Sequence, residues 1–447
     1  MLDQVCPHDL DETSDDHASL ASQVQTERLA ATALFCTTFL YIWVSLTPFP
    51  DLTYSMKGAA ASSGSNAINQ VVVVALAMTL VGYALATRSA AMVLRPRTVL
   101  FILFVWMFLV SVPAPDPGFA VRRLVMAFIV CLAASIFLTL PKDEQHFARM
   151  VAACSGIVLA LCYLGVMLFP RYAVHQYTDE LEPMLEGDWR GLFSHKNTAG
   201  AAMVIIVFLG LYVGRALGVL YGLPIVLFAV FFLIFSGSKT SVTLLPVTMA
   251  VAFVLVRVPY IRLLTAAGTL ATLGFFTIGS AVSERISGMV SAVGIDATFT
   301  KRAEIWTLAL EHIPKRLWTG YGYQSFWRNA DLMHGFREEF TWAVAAADAH
   351  NGYLDILLMA GVPGLMGATI LLLFLPVRYI ASAERNGSDR RRTELFARIW
   401  FFGMLVACLE SILFATNGAL WFMMLIAIFG LRLQARARLR RARIHPP

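Results

Sequence analysis

The chain is short of charge. Of its 447 residues only 14% are Asp, Glu, Lys or Arg, where a soluble protein carries roughly 25%. That excludes an ordinary soluble globular protein. Cysteine is scarce too: Cys6 lies near the N-terminus, and Cys36, Cys131, Cys154, Cys162 and Cys408 fall inside apolar runs. Such a distribution implies neither a disulfide framework nor a paired-cysteine zinc site. There is no Walker motif, no GxGxxG and no HExxH, so motifs point to no nucleotide or metal, and no cofactor is expected. A basic lead ahead of the first apolar run is also missing. Asp9, Asp11, Glu12, Asp15 and Asp16 stand there instead, which is not the pattern of a secretory signal.

What is present is apolar sequence, 58% hydrophobic with a mean hydropathy of +0.68. Several runs exceed the ~18 residues that span a bilayer as helix. The fold class expected is all-α, a polytopic bundle of about twelve transmembrane helices: Leu29–Thr47, Ala67–Thr87, Thr98–Val112, Val121–Leu140, Met150–Phe169, Thr198–Gly214, Leu217–Ser236, Thr240–Val256, Ile261–Val282, Gly352–Val377, Ile399–Ala415 and Ala419–Leu433. Residues 1–28 read as a disordered tail, 29–433 as one transmembrane domain, and 434–447 as a basic tail. Arginines cluster at Arg385, Arg390, Arg391, Arg392 and Arg398, and again at Arg436, Arg438, Arg440, Arg441 and Arg443. Under the positive-inside rule both clusters, and with them both termini, are cytoplasmic. The basic tail reads as an anchor on anionic lipid rather than a nucleic-acid site.

That topology puts one large loop, 283–351, on the outer face. It concentrates charge and aromatics: Arg285, Lys301, Arg302, Trp306, Trp318, Trp327, His334, Arg337, Trp342 and His350. Within it, the apolar spacing over Ala303–Ile313 suggests an amphipathic helix lying on the membrane. Arg190, Lys196, Lys239 and Arg302 form a set of cations on the same face. A cation that interrupts apolar sequence, as Lys239 does, either snorkels to the interface or serves a ligand. Four of them together suit a shared anion, and at a membrane face that means a phosphate or diphosphate on a lipid.

His350, beside Asp348 and Asn351, is either a general base or a bystander where Asp348 or Asn351 caps a helix. His195, next to Lys196 and Asn197, is either a ligand contact or interfacial polarity. The tryptophans suit an interfacial belt, and equally the apolar faces of sugars. Glu410 falls mid-span in Ile399–Ala415, which leaves a proton-coupled transporter or flippase open as a reading of another class.

Several motifs occur in a fixed order: Trp189-Arg190-Gly191-Leu192-Phe193-Ser194-His195-Lys196-Asn197, Ser236-Gly237-Ser238-Lys239-Thr240-Ser241, Lys301-Arg302-Ala303-Glu304-Ile305-Trp306, Gly320-Tyr321-Gly322, and His350-Asn351-Gly352-Tyr353-Leu354 followed by Gly361-Val362-Pro363-Gly364. The set resembles the O-antigen ligase and Wzy-type polysaccharide polymerase superfamily, and within it the exopolysaccharide polymerases of succinoglycan type. The resemblance implies a GT-C-like bundle in the bacterial inner membrane. It implies a metal-independent, inverting glycosyltransferase whose donor is an undecaprenyl-diphosphate-linked oligosaccharide and whose acceptor is another glycan, or lipid A-core for a ligase. It gives Arg190 and Arg302, with Lys239 and Lys196, to the diphosphate. Lys239 stands where many members have arginine. His350 becomes the base, and His195, Asn197, Asn351 and Trp306 become glycan contacts. A flippase and a chain-length regulator are the partners it implies, and no nucleic acid.

Overall fold

A computed structural model describes residues 8–52, 67–88, 97–179, 182–292, 294, 299, 302–329, 346–416 and 418–436, with the backbone alone for 8–21. Lys301, His334, Arg337, Trp342 and the tail arginines Arg438, Arg440, Arg441 and Arg443 lie outside the described residues.

The described chain is helical, with one isolated antiparallel bridge between Val174 and Trp189 and no strand. A bilayer offers the backbone no hydrogen bonds, so apolar runs of this length satisfy their own as helix. In chain order the helices are α1 His8–Val44, α2 Ala67–Thr87, α3 Thr98–Ser111, α4 Pro117–Phe137, α5 Glu144–Leu168, α6 Lys196–Ala216, α7 Val219–Phe235, α8 Lys239–Arg257, α9 Arg262–Val282, α10 Glu284–Ala292, α11 Arg302–His312, α12 Gly352–Thr369, α13 Arg390–Val406 and α14 Ala419–Gln434. From α12 the chain continues through a π-helical stretch, Ile370–Phe374, into Leu375–Arg385. Among the described residues seven helical stretches are long and apolar enough to cross a membrane, and Thr98–Ser111, Val219–Phe235 and Ala419–Gln434 are shorter apolar helices. The protein is a polytopic helical membrane protein. Each of the twelve expected spans overlaps a helix.

Three expectations change. Helix α1 begins at His8, so residues 8–28 are helical where composition reads a disordered tail. Ion pairs from Glu27 to Lys142 and from Arg28 to Asp143 tie that helix to the start of α5. Next, the apolar face of α11 is covered by protein: Ile305, Trp306, Leu308 and Ala309 are buried against Tyr321, Phe326, Leu354 and Leu358. Apolar periodicity shows a face to be covered, and cannot say whether lipid or protein covers it. The last difference matters most. The helix expected at Ile399–Ala415 is Arg390–Val406, and residues 407–416 are a non-helical strap. Glu410 therefore lies past a helix end, not mid-span.

α6 packs on α5, α7, α8 and α13 and has 78% of its apolar window buried, the largest share among the long spans. It forms the centre of the bundle. Since α6, α7 and α8 alternate in direction, the starts of α6 and α8 share one end of the bundle with the strap and the start of α12. At the opposite end Arg215, Arg257, Arg390 and Arg398 converge on Glu394, and Arg262 pairs with Glu384.

Candidate active site

The site is built from four helix starts, those of α6, α8, α11 and α12, and the strap. Two of the starts are drawn together by a glycine. A Cβ on Gly200 of α6 would come within 2.5 Å of the Ser238 Cβ and 3.0 Å of the Ser241 hydroxyl. Only a residue without a side chain lets the first turns of α6 and α8 approach this closely. Across that contact the Ser238 hydroxyl lies 3.4 Å from Asn197 Oδ1 and 3.1 Å from the Ser241 hydroxyl, with one proton to give to either. Asn197 then turns its Nδ2 to Glu410 Oε1, 3.1 Å away.

Glu410 is the hub. Its Oε1 also accepts from Arg302 Nη2 at 2.7 Å, while Arg302 Nη1 donates to the Leu409 carbonyl at 2.6 Å. Oε2 faces His350 Nδ1 at 3.3 Å. One carboxylate thus joins the first turns of α6 and α11 to the residue that leads into α12. Burial alone would raise its pKa, but Arg302 and His350 overcome that and hold it down at about 2. Burial likewise works to lower His350. The hydrogen bond to Glu410 and the charges of Asp348 and Glu410 outweigh burial and Arg302, so the imidazole pKa is raised.

His350 is held from both sides. Its own backbone is in the left-handed region, φ +45°, which non-glycine residues seldom adopt and which clusters at functional sites. Its N–H donates to Asp348 Oδ1 at 2.9 Å. Asn351 caps α12, accepting from the Tyr353 and Leu354 N–H groups. The same side chain donates to the Cys408 carbonyl at 2.9 Å, and the Asn351 N–H donates to Ser411 at 3.2 Å. Preceding His350, the Ala349 carbonyl accepts from Trp306 Nε1 at 3.0 Å, and the Ala349 N–H donates to Asp355, which also accepts from Trp327 Nε1 at 2.8 Å. The glycine motifs lock the floor beneath. Gly320 and Gly361 sit at φ +65° and +63°, and a Cβ on either would come within 2.7 Å of the other segment's backbone.

The expected site residues divide into two groups. Asn197, Arg302, His350 and Asn351 meet around Glu410. Lys196 lies next door, its ammonium 2.6 Å from Asp188 and 3.5 Å from the Gly237 carbonyl. Lys239 is exposed at the start of α8. His195 is the N-cap of α6: Nδ1 accepts from the Asn197 N–H at 3.1 Å and Nε2 meets Glu182 at 2.8 Å, so both ring nitrogens have protein partners. Trp306 is fully buried, with its indole spent on Ala349. Arg190 is 1% exposed and gives its guanidinium to the Phe193 and Pro50 carbonyls. Among the described residues its Nε has no hydrogen-bond partner. Burial lowers its pKa, against the pull of Asp179 and Asp51.

Sequence reasoning missed Glu410 as a site residue, together with Asp188, Ser238 and Asp355. The one cue to Glu410 was a carboxylate in apolar sequence, and that cue had been given to a midplane proton pathway. The structure withdraws the observation on which the transporter reading stood.

Residues 202–369 match the model of a known family, described as O-antigen ligase. The match supports the O-antigen ligase and Wzy superfamily for that segment. Lys239, Arg302, Trp306, His350 and Asn351 fall inside the matched segment; Arg190, Lys196, Asn197 and Glu410 fall outside it. No curated protein matches the chain significantly. The family supports a ligase- or polymerase-type function in general, carried out by a multi-pass membrane protein.

Proposed function

We propose that the protein is an inverting polysaccharide polymerase of the inner membrane. It transfers a glycan from an undecaprenyl-diphosphate carrier to a hydroxyl of an acceptor glycan on the periplasmic face. The supporting observation is the Glu410 hub, which draws Arg302 and His350, a cation and a titratable base, onto one carboxylate at the end of the bundle. The basic residues gathered at the opposite end support a cytoplasmic assignment for that end and for both termini.

In this reading Arg302 holds the diphosphate. A guanidinium carries five N–H donors, and Glu410 and Leu409 take two of them. Lys196 and Lys239 add charge beside it, and buried Arg190 contributes a fixed positive field without leaving its carbonyls. His350 uses Glu410 to hold Nδ1, which leaves Nε2 to take the acceptor's proton. The acceptor oxygen bonds to the anomeric carbon as the bond from that carbon to the diphosphate oxygen breaks. The electron pair departs with the diphosphate, and the proton goes to Nε2. Attack from the face opposite the diphosphate inverts the anomeric centre. The charge that grows on the leaving group meets cations already in place, the most effective arrangement for lowering such a barrier. A ligase would run the same donor chemistry onto lipid A-core, and only the acceptor separates the two.

The experiment is turnover of purified protein on undecaprenyl-diphosphate-linked repeat units, with a glycan acceptor and lipid A-core offered in parallel. Arg302→Ala abolishes transfer at unchanged protein level. Arg302→Lys loses more than tenfold, because a point charge does not replace a bidentate fork, and Lys239→Arg is tolerated better than Lys239→Ala. Full activity in Arg302→Ala would end the diphosphate assignment, and transfer to lipid A-core alone would make the protein a ligase.

A further inference from the structure

The end of the bundle away from the candidate active site gathers more positive charge than its own carboxylate balances. Arg215 lies in the last turn of α6 and Arg257 ends α8, while Arg390 and Arg398 lie on the first three turns of α13. All four guanidiniums meet one side chain, Glu394: Arg215 in close contact, Arg390 at 3.3 Å, Arg398 at 3.4 Å and Arg257 at 3.7 Å. Among the described residues Glu394 is the one carboxylate paired with any of them. A fifth guanidinium, that of Arg391, donates to the Arg215 carbonyl at 2.8 Å. The neighbouring Asp389 is taken by Arg392 at 3.3 Å and by the Arg391 N–H at 2.9 Å. Each guanidinium carries five N–H donors against the two oxygens of a carboxylate, so the cluster has donors to spare. Arg390, Arg391 and Arg392 also stand at the positive end of the α13 dipole, where cations are unfavourable.

Orientation in a bilayer does not require this arrangement. The positive-inside rule asks only for cations beyond the helix ends. Here Glu394 and Arg398 are buried, and Arg215, Arg257 and Arg390 stay exposed around them. Like charges drawn onto one buried group repel one another, and a second anion relieves that repulsion. Helix α8 shows where the anion comes from. Pro246, Ala250, Phe253 and Arg257 recur every three to four residues and are all exposed, so they share one face of the helix. An apolar stripe on the outside of the bundle thus ends at a guanidinium, and that guanidinium lies 4.6 Å from the centre of the Phe253 ring. An acyl chain lying along the stripe brings the phosphate at its head to the cluster. A free anion has no use for the stripe.

We propose that Arg215, Arg257, Arg390 and Arg398 form a site for the phosphate of an anionic phospholipid headgroup, with an acyl chain on the 246–253 stripe of α8. Guanidinium forks suit phosphate oxygens, and basic pockets between helices at a membrane face take lipid headgroups. The bound lipid ties the ends of α6, α8 and α13 together. The site lies at the other end of the bundle from the transfer chemistry and does not rest on it.

The test uses the full-length protein, delipidated in a neutral detergent. Bound lipid is counted by native mass spectrometry during titration with phosphatidylglycerol or phosphatidylcholine of identical acyl chains. The wild-type protein binds its first phosphatidylglycerol about tenfold or more tightly than phosphatidylcholine, the scale of one charge-assisted hydrogen bond. In Arg257→Gln and Arg390→Gln that ratio falls toward one, and Arg257→Lys retains part of it. Arg149→Gln removes an exposed charge of α5 outside the cluster and keeps the ratio. Because the readout is a ratio, a variant that merely folds poorly weakens both lipids and keeps it. Equimolar inorganic phosphate leaves the lipid bound. A wild-type ratio near one, or a ratio preserved in both glutamine variants, overturns the site. So does a ratio lowered as much by Arg149→Gln, which would be net charge acting without a site. Displacement of the lipid by equimolar inorganic phosphate would assign the cluster to a free anion and overturn the lipid.

Discussion

Replacing His350 by glutamine is expected to cut turnover by about 10² to 10⁴, the usual worth of general-base help, while donor binding changes little. Glutamine can hold a hydrogen bond to Glu410 but cannot accept a proton from the acceptor, so the variant separates positioning from proton transfer. Wild-type protein should also show its base in the pH profile. The acting form is the neutral imidazole, so the rate falls as pH drops through the His350 pKa. Glu410 and Asp348 raise that pKa against the opposing effect of burial, so the acidic limb of kcat/KM lies above the ~6.5 of an ordinary histidine. Near-wild-type turnover in His350→Gln would move the base elsewhere, and a limb below ~6.5 would mean that Glu410 does not face the ring in solution.

The second large effect belongs to Glu410. Glu410→Gln removes the charge that pairs Arg302 and the acceptor that holds His350 Nδ1. An orienting carboxylate beside a catalytic histidine is worth up to about 10⁴ in the serine protease triad, and a loss of at least about 10² is expected here. The direction of the pH shift is specific. With the carboxylate gone and burial retained, the His350 pKa falls, so the acidic limb moves to lower pH even as the maximal rate drops. Glu410→Asp keeps the charge on a shorter arm and should retain part of both properties. Turnover of the wild type in detergent, where no proton gradient exists, would separately exclude a proton-driven role. A Glu410→Gln protein with full rate and an unmoved limb would remove the hub from the mechanism.

Hydropathy made most of the bundle legible, because a run of apolar residues in lipid has few conformations open to it. It failed at one place and for a clear reason. Ala407, Cys408, Leu409, Ile412, Leu413, Phe414 and Ala415 are as apolar as any span, and Cys408, Leu409, Leu413 and Phe414 are buried, but in a non-helical strap covered by protein. Apolarity reports what a residue must avoid, and protein shields it from water as well as lipid does. The site was partly visible as well. Arg302, His350, Asn197 and Asn351 were singled out from their position and residue type. Their convergence could not be seen, because the carboxylate that gathers them lies in that strap. For Trp306 and Arg190 residue type was a poor guide to surroundings. An indole and a guanidinium that look made for sugar and phosphate are both enclosed, and their exposure is set by packing that one chain's pattern does not encode.

The pinning of Ala349 and Asn351 decides how distant changes would reach the proposed base. Trp306 grips the residue before His350, and the Asn351 side chain grips the strap after it. The proposed base is therefore clamped from two sides, by α11 behind it and by the strap beyond it. The two contacts work like the jaws of a vice: an error in either one, at Trp306 or at Cys408, displaces the workpiece without touching it.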